Sequence, residues 1–396
     1  MSSMRIRVST IVYFLIFVVT FLTLPYLENY NTIKYVFLLL DGVYCIRYIK
    51  AIFSEKKFLI INVLVTATTI WVIGSAAFLN GNVERNTFLA AIVYYGALLE
   101  MVYIIEISII KDDFNRFLKI ILILLGIAVA IVDTQVIVES FLGMGHDFKT
   151  YIFGIKFNVG ILNVQYIIFY WMYMERFKKL KRSRIIVLAL LEIIVSWLAY
   201  TSTLVIIGVI LLLGSIFEDK IKKVITNPIF FAVIYILSAT FIYWYPILLK
   251  SGPIVELSNY MGENISNMSG RATVFKMIPI ICLSHLWTGY GYGTSYEVIW
   301  GRIRVADAQN GFWELMVNIG LIGALLYTGI LALPYFQTRK KRETFPLYFY
   351  ITIIVLLACV EVPYGNSLLF FAFIAMYINQ DKCYELETEK SGIMSQ

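Results

Sequence analysis

Long apolar runs, separated by short polar segments, follow one another along almost the whole chain. They predict about twelve helices, at residues 8–27, 33–52, 58–79, 87–110, 117–138, 157–174, 185–200, 203–217, 228–248, 311–335, 345–362 and 366–380. Most of these runs approach the ~20 residues that a helix needs to cross a bilayer. The pattern therefore predicts an all-α, polytopic helical membrane protein.

The orientation of the later helices depends on a break at residues 200–203, where Tyr-Thr-Ser-Thr interrupts the apolar run from Ile185 to Phe217. We predict two short helices here and not one long tilted helix. With two helices, most Lys and Arg residues fall on alternate connections, including the basic runs at 176–184, 220–223 and 339–342. Because positive residues concentrate on the cytoplasmic side of membrane proteins, both termini are predicted to be cytoplasmic.

One long polar stretch interrupts the apolar pattern between the ninth and tenth predicted helices. It divides the chain into residues 1–248 with nine membrane helices, an extracytoplasmic loop at 249–310, three more helices at 311–380 and a cytoplasmic tail at 381–396. A second external stretch, residues 139–156, carries His146, Asp147 and Lys149. It is predicted either to cap a site in the long loop or to lie at the membrane interface.

Composition supports the membrane assignment. The chain is 60% apolar and 15% charged, with a mean hydropathy of +0.79, whereas soluble domains are about 45–50% apolar and about 25% charged. The net charge of +7 follows the orientation pattern, so no nucleic-acid partner is predicted. Four cysteines without CxxC spacing and two histidines argue against a disulfide framework or a metal site. No metal or cofactor is predicted.

Three acidic residues fall inside predicted helices: Glu100, Asp133 and Glu192. Ionisable groups within a membrane are costly and are usually functional or paired. These residues are predicted to form a proton path, to line an aqueous cavity or to be paired with polar neighbours. The sequence leaves the three alternatives open.

The long loop concentrates residues that can carry chemistry. Ser269 is predicted to cap a helix whose apolar face includes Val274, Ile278 and Ile281. Arg271 would then lie in the first turn, where the helix dipole favours anions. A phosphate bound jointly by the helix N-terminus and the guanidinium would explain this position. The alternative is an ordinary surface arginine.

Downstream of this predicted helix, glycines alternate at Gly289, Gly291 and Gly293. Alternating glycines permit a tight turn and a close approach of the backbone to a ligand. Gln309 and Asn310 then precede the tenth predicted helix, which carries Glu314 and a G-x-x-G pair at residues 320–323.

The order of these motifs resembles that of the O-antigen ligase and polymerase superfamily. The resemblance covers residues 269–325 closely: S-G-R, an amphipathic helix, G-x-G-x-G, an arginine-bearing segment, Q-N-x-x-x-E and G-x-x-G, with Phe275 where the family usually has Trp. It implies a GT-C-like fold and metal-independent, inverting glycosyl transfer. The implied donor is a polyprenyl-diphosphate-linked oligosaccharide, such as one on undecaprenyl diphosphate, used at the outer face of a bacterial cytoplasmic membrane.

The resemblance also implies residue roles. Arg271 would hold the diphosphate, the glycines at 289, 291 and 293 would shape the cavity, and Gln309 and Asn310 would occupy the family's His-Asn position. Because glutamine cannot accept a proton, as that histidine does in the ligases, the Wzy-type polymerases of capsule or O-antigen synthesis are the better match. A polymerase holds two lipid diphosphates, and the candidate cations for the second are Arg302, Arg304 and Lys276.

The acceptor hydroxyl needs a proton acceptor or an orienting group, for which Asp307 and Glu314 are the first candidates and His285 the last. The predicted function is therefore polymerisation of lipid-linked repeat units for capsule or O-antigen. The alternatives are a ligase that transfers the glycan to another acceptor, and a flippase or exporter of lipid-linked glycans. The expected partners are the lipid bilayer and the chain-length regulator and flippase of the same pathway.

Overall fold

The structure is a computed structural model that describes residues 7–27, 30–79, 84–142, 150–249, 251, 265–337 and 340–380. Its α-helices are α1 Val8–Phe21, α2 Tyr30–Ser54, α3 Leu59–Leu79, α4 Thr87–Ile110, α5 Phe114–Phe141, α6 Lys156–Arg176, α7 Arg182–Leu198, α8 Ser202–Ile216, α9 Glu218–Ile225, α10 Pro228–Leu248, α11 Ile265–Leu283, α12 Ser295–Ile303, α13 Gly311–Ala332, α14 Phe345–Leu357 and α15 Asn366–Gln380. A two-residue antiparallel pair, β1 Thr150–Tyr151 and β2 Gly154–Ile155, precedes α6. Short 3-10 helices lie at Lys56–Phe58, Leu333–Phe336 and Arg342–Thr344.

Each predicted helical segment contains an α-helix, and the all-α class is confirmed. Among the described residues, five helical segments are long and apolar enough to cross a membrane: Lys56–Leu79, Thr87–Ile110, Phe114–Phe141, Pro228–Leu248 and Gly311–Phe336. Helices α1 and α8 are apolar but shorter. The count of about twelve membrane spans stays a prediction.

The predicted break near Tyr200 is present. Helix α7 ends at Leu198 and α8 begins at Ser202, and Tyr200 between them has a left-handed backbone with a φ of 56°. The two helices pack closely at Gly208. A Cβ built on this glycine would lie only 2.6 Å from Cγ1 of Ile193, so a larger residue would not fit without a shift. The break between the two packed helices therefore lies at residues 199–201, and the following Ser202 begins α8.

The last two helices lie in the centre of the bundle. Nearly every residue of α14 and α15 is buried, as expected for helices that are apolar on all sides. The ring of Phe371 in α15 lies 4.3 Å from that of Tyr350 in α14 and 6.0 Å from that of Phe169 in α6. These helices form a core around which the longer helices pack.

Acidic residues inside the bundle mostly have polar partners. Asp133 accepts a hydrogen bond from Asn163 at 2.7 Å, and Glu192 accepts one from Ser196 at 2.7 Å. Oε2 of Glu100 is buried without a hydrogen-bond partner among the residues that the structure describes. Oε2 of Glu192 is likewise buried without a hydrogen-bond partner in the described part of the chain. The geometry therefore favours pairing for Asp133, favours it for one oxygen of Glu192, and does not favour it for Glu100.

The two ends of the bundle differ in chemistry. At the first, which we call the basic end (residues 175–184, 217–227 and 340–344), Arg342 contacts Glu175 at 2.6 Å and Arg182 contacts Glu218 at 3.0 Å. At the second, which we call the loop end (residues 84–86, 265–310 and 358–365), Glu297 accepts the backbone N–H of Arg85 at 3.0 Å. The candidate site residues from Arg271 to Asn310 lie at the loop end, and Glu314 follows in the first turn of α13.

Candidate active site

The helix that carries Arg271 starts earlier than predicted. Helix α11 begins at Ile265 and runs through Gly270, where an added Cβ would meet no atom within 4 Å. Arg271 is therefore not in the first turn, and the prediction that Ser269 opens the helix is wrong. The argument that the helix N-terminus and the guanidinium share one anion no longer applies, because only the first turn presents free N–H groups.

Arg271 faces a carboxylate that the sequence did not single out. Its Nη2 lies 3.6 Å from Oε1 of Glu361, and the two side chains are 37% and 29% exposed. Glu361 lies in the connection between α14 and α15, so a residue from a distant part of the chain completes this corner of the loop end. Burial raises the pKa of Glu361, positive Arg271 opposes the shift, and negative Asp307 adds to it.

Asp307 and Gln309 form a tight turn before α13. Oδ1 of Asp307 accepts the backbone N–H of Gln309 at 2.8 Å, and Gln309 has a φ of 51°. Oε1 of Gln309 is buried and has no hydrogen-bond partner among the described residues. This amide oxygen therefore has capacity for one more hydrogen bond, but it is shielded from a substrate in this arrangement.

Glu314 lies next to this turn, and protein groups already donate hydrogen bonds to its carboxylate. Its carboxylate accepts the backbone N–H of Ala308 at 3.1 Å and Nδ2 of Asn318 at 2.9 Å, and it also hydrogen-bonds Ser295. The side chain is 9% exposed. These contacts favour a role in holding the 307–309 turn over the predicted role in catalysis.

Asn310 is fully buried at the start of α13. Its Oδ1 accepts the backbone N–H of Trp313 at 3.2 Å, which caps the helix. Its Nδ2 donates to the carbonyl oxygens of Ser238 at 3.0 Å and Cys359 at 3.2 Å. The placement favours a positioning role over the predicted contact with substrate, because no polar atom of the side chain is left over.

The first glycine of the G-x-G-x-G turn fits into a break in α13. Gly320 interrupts that helix with a φ of 67° and a ψ of −177°. A Cβ built on Gly289, whose φ is 68°, would lie 2.6 Å from the backbone nitrogen of Gly320. Backbone bonds from Tyr290 N to Val317 O at 2.7 Å and from Leu321 N to Leu286 O at 2.8 Å join the two segments.

The other two glycines meet the start of α4 and the residues just before it. A Cβ on Gly291 would lie 2.8 Å from Cγ2 of Thr87, and the carbonyl of Gly293 accepts Nη1 of Arg85 at 3.0 Å. The backbone N–H of Gly293 donates to Oδ1 of Asn318 at 2.8 Å. All three glycines therefore permit close packing between protein segments, which is the role that the structure assigns in place of a free cavity wall.

The remaining cations form no single cluster with Arg271. Nη1 of Arg302 donates to the hydroxyl of Tyr290 at 2.9 Å, and the ring of His285 lies 4.3 Å from the same tyrosine ring. Lys276 and Arg304 are exposed, and Arg304 ends α12 in a left-handed conformation with a φ of 58°. Arg302 is therefore tied to the protein surface, while Lys276 and Arg304 point to solvent.

Three further observations concern the edges of the site. His146, Asp147 and Lys149 lie outside the residues that the structure describes, so the predicted cap stays untested. Among the described residues, no group of three His, Cys, Asp or Glu side chains is arranged to hold a metal ion. Arg85 is exposed, and no motif in its own segment predicts it as a site residue. The fold places it against the glycine turn, where it donates a hydrogen bond to the carbonyl of Gly293.

No family model, no curated protein and no solved structure matches this chain. The grounds for a function are therefore the order of its own motifs and the geometry of the loop end. There the structure pairs Arg271 with Glu361, and Glu361 lies within electrostatic range of Asp307. Asp307 in turn accepts the backbone N–H of Gln309.

Proposed function

We propose that this protein is a membrane glycosyltransferase that polymerises polyprenyl-diphosphate-linked oligosaccharide repeat units for a capsule or O-antigen. The observation that carries the proposal is the partly exposed Arg271 beside the carboxylate of Glu361 at one end of an apolar bundle, with Asp307 within electrostatic range of that carboxylate. A cation and a carboxylate at the membrane surface match the two parts of this reaction. The cation suits the lipid diphosphate, and the carboxylate suits the sugar hydroxyl.

The reaction is a substitution at the anomeric carbon of the donor sugar. The acceptor hydroxyl oxygen bonds to that carbon, and the carbon–oxygen bond to the diphosphate breaks. The leaving diphosphate is already a stabilised anion, so it needs electrostatic stabilisation more than a proton. The guanidinium of Arg271 can supply that stabilisation with bidentate hydrogen bonds.

The distribution of charge supports an outward-facing site. Arg176, Arg182, Arg342 and neighbouring lysines gather at the basic end, opposite the loop end. Positive residues mark the cytoplasmic side, so the loop end would face the outer side of a bacterial cytoplasmic membrane. Lipid-linked repeat units would reach it there without crossing the bundle.

Polymer formation in proteoliposomes tests the proposal. The substrate is the lipid-linked repeat unit purified from cells that lack this protein, and neither nucleotide sugar nor metal is added. We expect a ladder of polymers from the wild type and a loss of rate on the order of 10²- to 10³-fold in Arg271→Ala, as for the removal of one transition-state donor. Arg47→Ala, an exposed arginine of α2, is the matched control and should behave as the wild type.

Two outcomes would contradict the proposal. A wild-type protein that leaves the repeat units unjoined but moves them across the bilayer would be a flippase. A protein that transfers the glycan only to an added second acceptor, with no ladder, would be a ligase.

A further inference from the structure

The ion pair between Arg271 and Glu361 leaves both groups available to other ligands. The distance of 3.6 Å between Nη2 and Oε1 exceeds the usual length of a hydrogen bond between nitrogen and oxygen. A guanidinium carries five N–H donors, and both side chains are partly exposed. The pair is therefore open to competition by a stronger anion.

Glu361 accepts fewer hydrogen bonds from the described part of the protein than Glu314 or Asp307 does. Glu314 already accepts hydrogen bonds from Ala308, Asn318 and Ser295, and one oxygen of Asp307 accepts the N–H of Gln309. Among the residues that the structure describes, the charged groups that act on Glu361 are Arg271 of α11 and Asp307 of the turn before α13. The main partner of Glu361 is Arg271. An incoming diphosphate would bind Arg271 and so leave Glu361 without that partner.

We propose that Glu361 accepts the proton of the acceptor hydroxyl, and that its ion pair with Arg271 keeps Glu361 from doing so until the donor diphosphate binds the guanidinium. The inference rests on the proposed function and names the proton acceptor for the same site. It makes Arg271 a group with two successive partners, first the carboxylate and then the diphosphate.

The exchange of partners follows from charge. A diphosphate is more highly charged than a carboxylate and offers several oxygens for a bidentate contact, so it competes well for the guanidinium. Once Arg271 is neutralised by the diphosphate, burial and Asp307 remain, and both raise the pKa of Glu361. Donor binding therefore makes the carboxylate a stronger base at the moment when the acceptor needs one.

The chemical step balances with these groups. The acceptor oxygen forms its bond to the anomeric carbon, the bond from that carbon to the diphosphate oxygen breaks, and its electron pair leaves with the polyprenyl diphosphate. The hydroxyl proton passes to a carboxylate oxygen of Glu361. Release of the lipid diphosphate then lets Arg271 pair with Glu361 again, which favours loss of that proton to water.

The test compares Glu361→Gln and Glu361→Asp with the wild type in the proteoliposome assay, together with binding of the repeat-unit lipid. We expect Glu361→Gln to lower kcat on the order of 10²- to 10⁴-fold, the usual range for a general base. It should bind the donor as tightly as the wild type or more tightly, because the neutral amide competes less for Arg271. The wild-type rate should rise with pH through the pKa of Glu361; Glu361→Asp should keep this acidic limb and Glu361→Gln should lose it.

The outcomes separate this inference from the proposed function. A Glu361→Gln protein that makes polymer at the wild-type rate, with the acidic limb intact, would overturn the role of Glu361 and leave the polymerase standing. A variant that loses polymer and donor binding together, while Glu361→Asp restores neither, would assign Glu361 to structure alone. A wild-type protein that makes no polymer would remove the proposed function itself.

Discussion

A Cβ built on Gly289 would lie 2.6 Å from the backbone nitrogen of Gly320, and one built on Gly320 would overlap the carbonyl of Trp287. The two glycines thus permit the closest approach between the loop end and the break in α13. Both have positive φ values, 68° and 67°, which L side chains rarely adopt. The G-x-G-x-G turn and the G-x-x-G pair of the sequence are therefore two halves of one contact.

This contact predicts that Gly289→Ala and Gly320→Ala each lower the free energy of unfolding. The cost combines left-handed strain with overpacking and should be on the order of 3 kcal/mol. Thermal denaturation of the purified protein in detergent measures it. Gly301→Ala is the control, because an added Cβ there meets no atom within 4 Å, and alanine should stabilise α12 by up to about 1 kcal/mol. Equal melting temperatures for all three variants would show that the close contact between Gly289 and Gly320 does not stabilise the protein.

Asn310 joins the start of α13 to α10 and to the connection after α14. Its removal should therefore cost more than the loss of an ordinary cap. Asn310→Ala removes the cap of α13 and leaves the carbonyls of Ser238 and Cys359 without their donor. We expect a loss of about 2–4 kcal/mol. Asn227→Ala is the control, because Asn227 is exposed and caps only α10 through the N–H of Ile229; it should cost about 1 kcal/mol. Denaturation of both variants under one condition gives the comparison, and equal costs would show that the two carbonyl contacts contribute nothing.

Arg176 is a basic residue that orientation alone does not explain. It is 2% exposed, donates from Nε to Asn115 at 3.0 Å and lies 3.4 Å from Glu343. Arg176→Met should destabilise the protein by about 3–5 kcal/mol, because it leaves a mostly buried carboxylate unpaired. The double variant Arg176→Met with Glu343→Gln should recover part of this loss in thermal denaturation.

The control for this prediction is Arg184→Met. Arg184 is exposed and donates to the hydroxyl of Tyr170 at 3.3 Å, so its removal should change stability by less than about 1 kcal/mol. If Arg176→Met and Arg184→Met had the same effect, the buried network would have no energetic role.

Apolar runs predicted the helices well because a span needs a minimum length of apolar residues and polar residues end it. Helices α4 and α10 match their predicted bounds, Thr87–Ile110 and Pro228–Leu248. The end of α14 was placed too late, at residue 362, and the helix ends at Leu357. Val360 and Val362 continue the apolar run there, while the backbone has already left the helix. Apolar residues mark burial, and burial alone does not distinguish a helix from a packed connection.

The site was harder to predict than the fold. The sequence singles out Arg271, Asp307 and Gln309 because the long loop concentrates charged and polar residues, whereas its apolar pattern assigns Glu361 to the end of a predicted helix. Its contact with Arg271 forms only when the connection between α14 and α15 lies beside α11 in the folded chain. Asn310 and Glu314 were singled out correctly as unusual polar residues, yet their burial and hydrogen bonds are tertiary properties. A sequence motif does not say whether a polar residue faces a substrate or the protein.

The proposed outward orientation of the loop end predicts a labelling pattern. In protein whose four cysteines are replaced by alanine, a single cysteine is placed at Gly301 of α12 or at Lys179 between α6 and α7, both of which are exposed. A membrane-impermeant maleimide should label Gly301→Cys in intact spheroplasts and Lys179→Cys only after permeabilisation, because positive residues stay on the cytoplasmic side. The reverse pattern would place Arg271 and Glu361 in the cytoplasm, where a lipid-linked glycan awaiting polymerisation on the outer face would not reach them. Labelling of both residues in permeabilised spheroplasts is the control for reactivity.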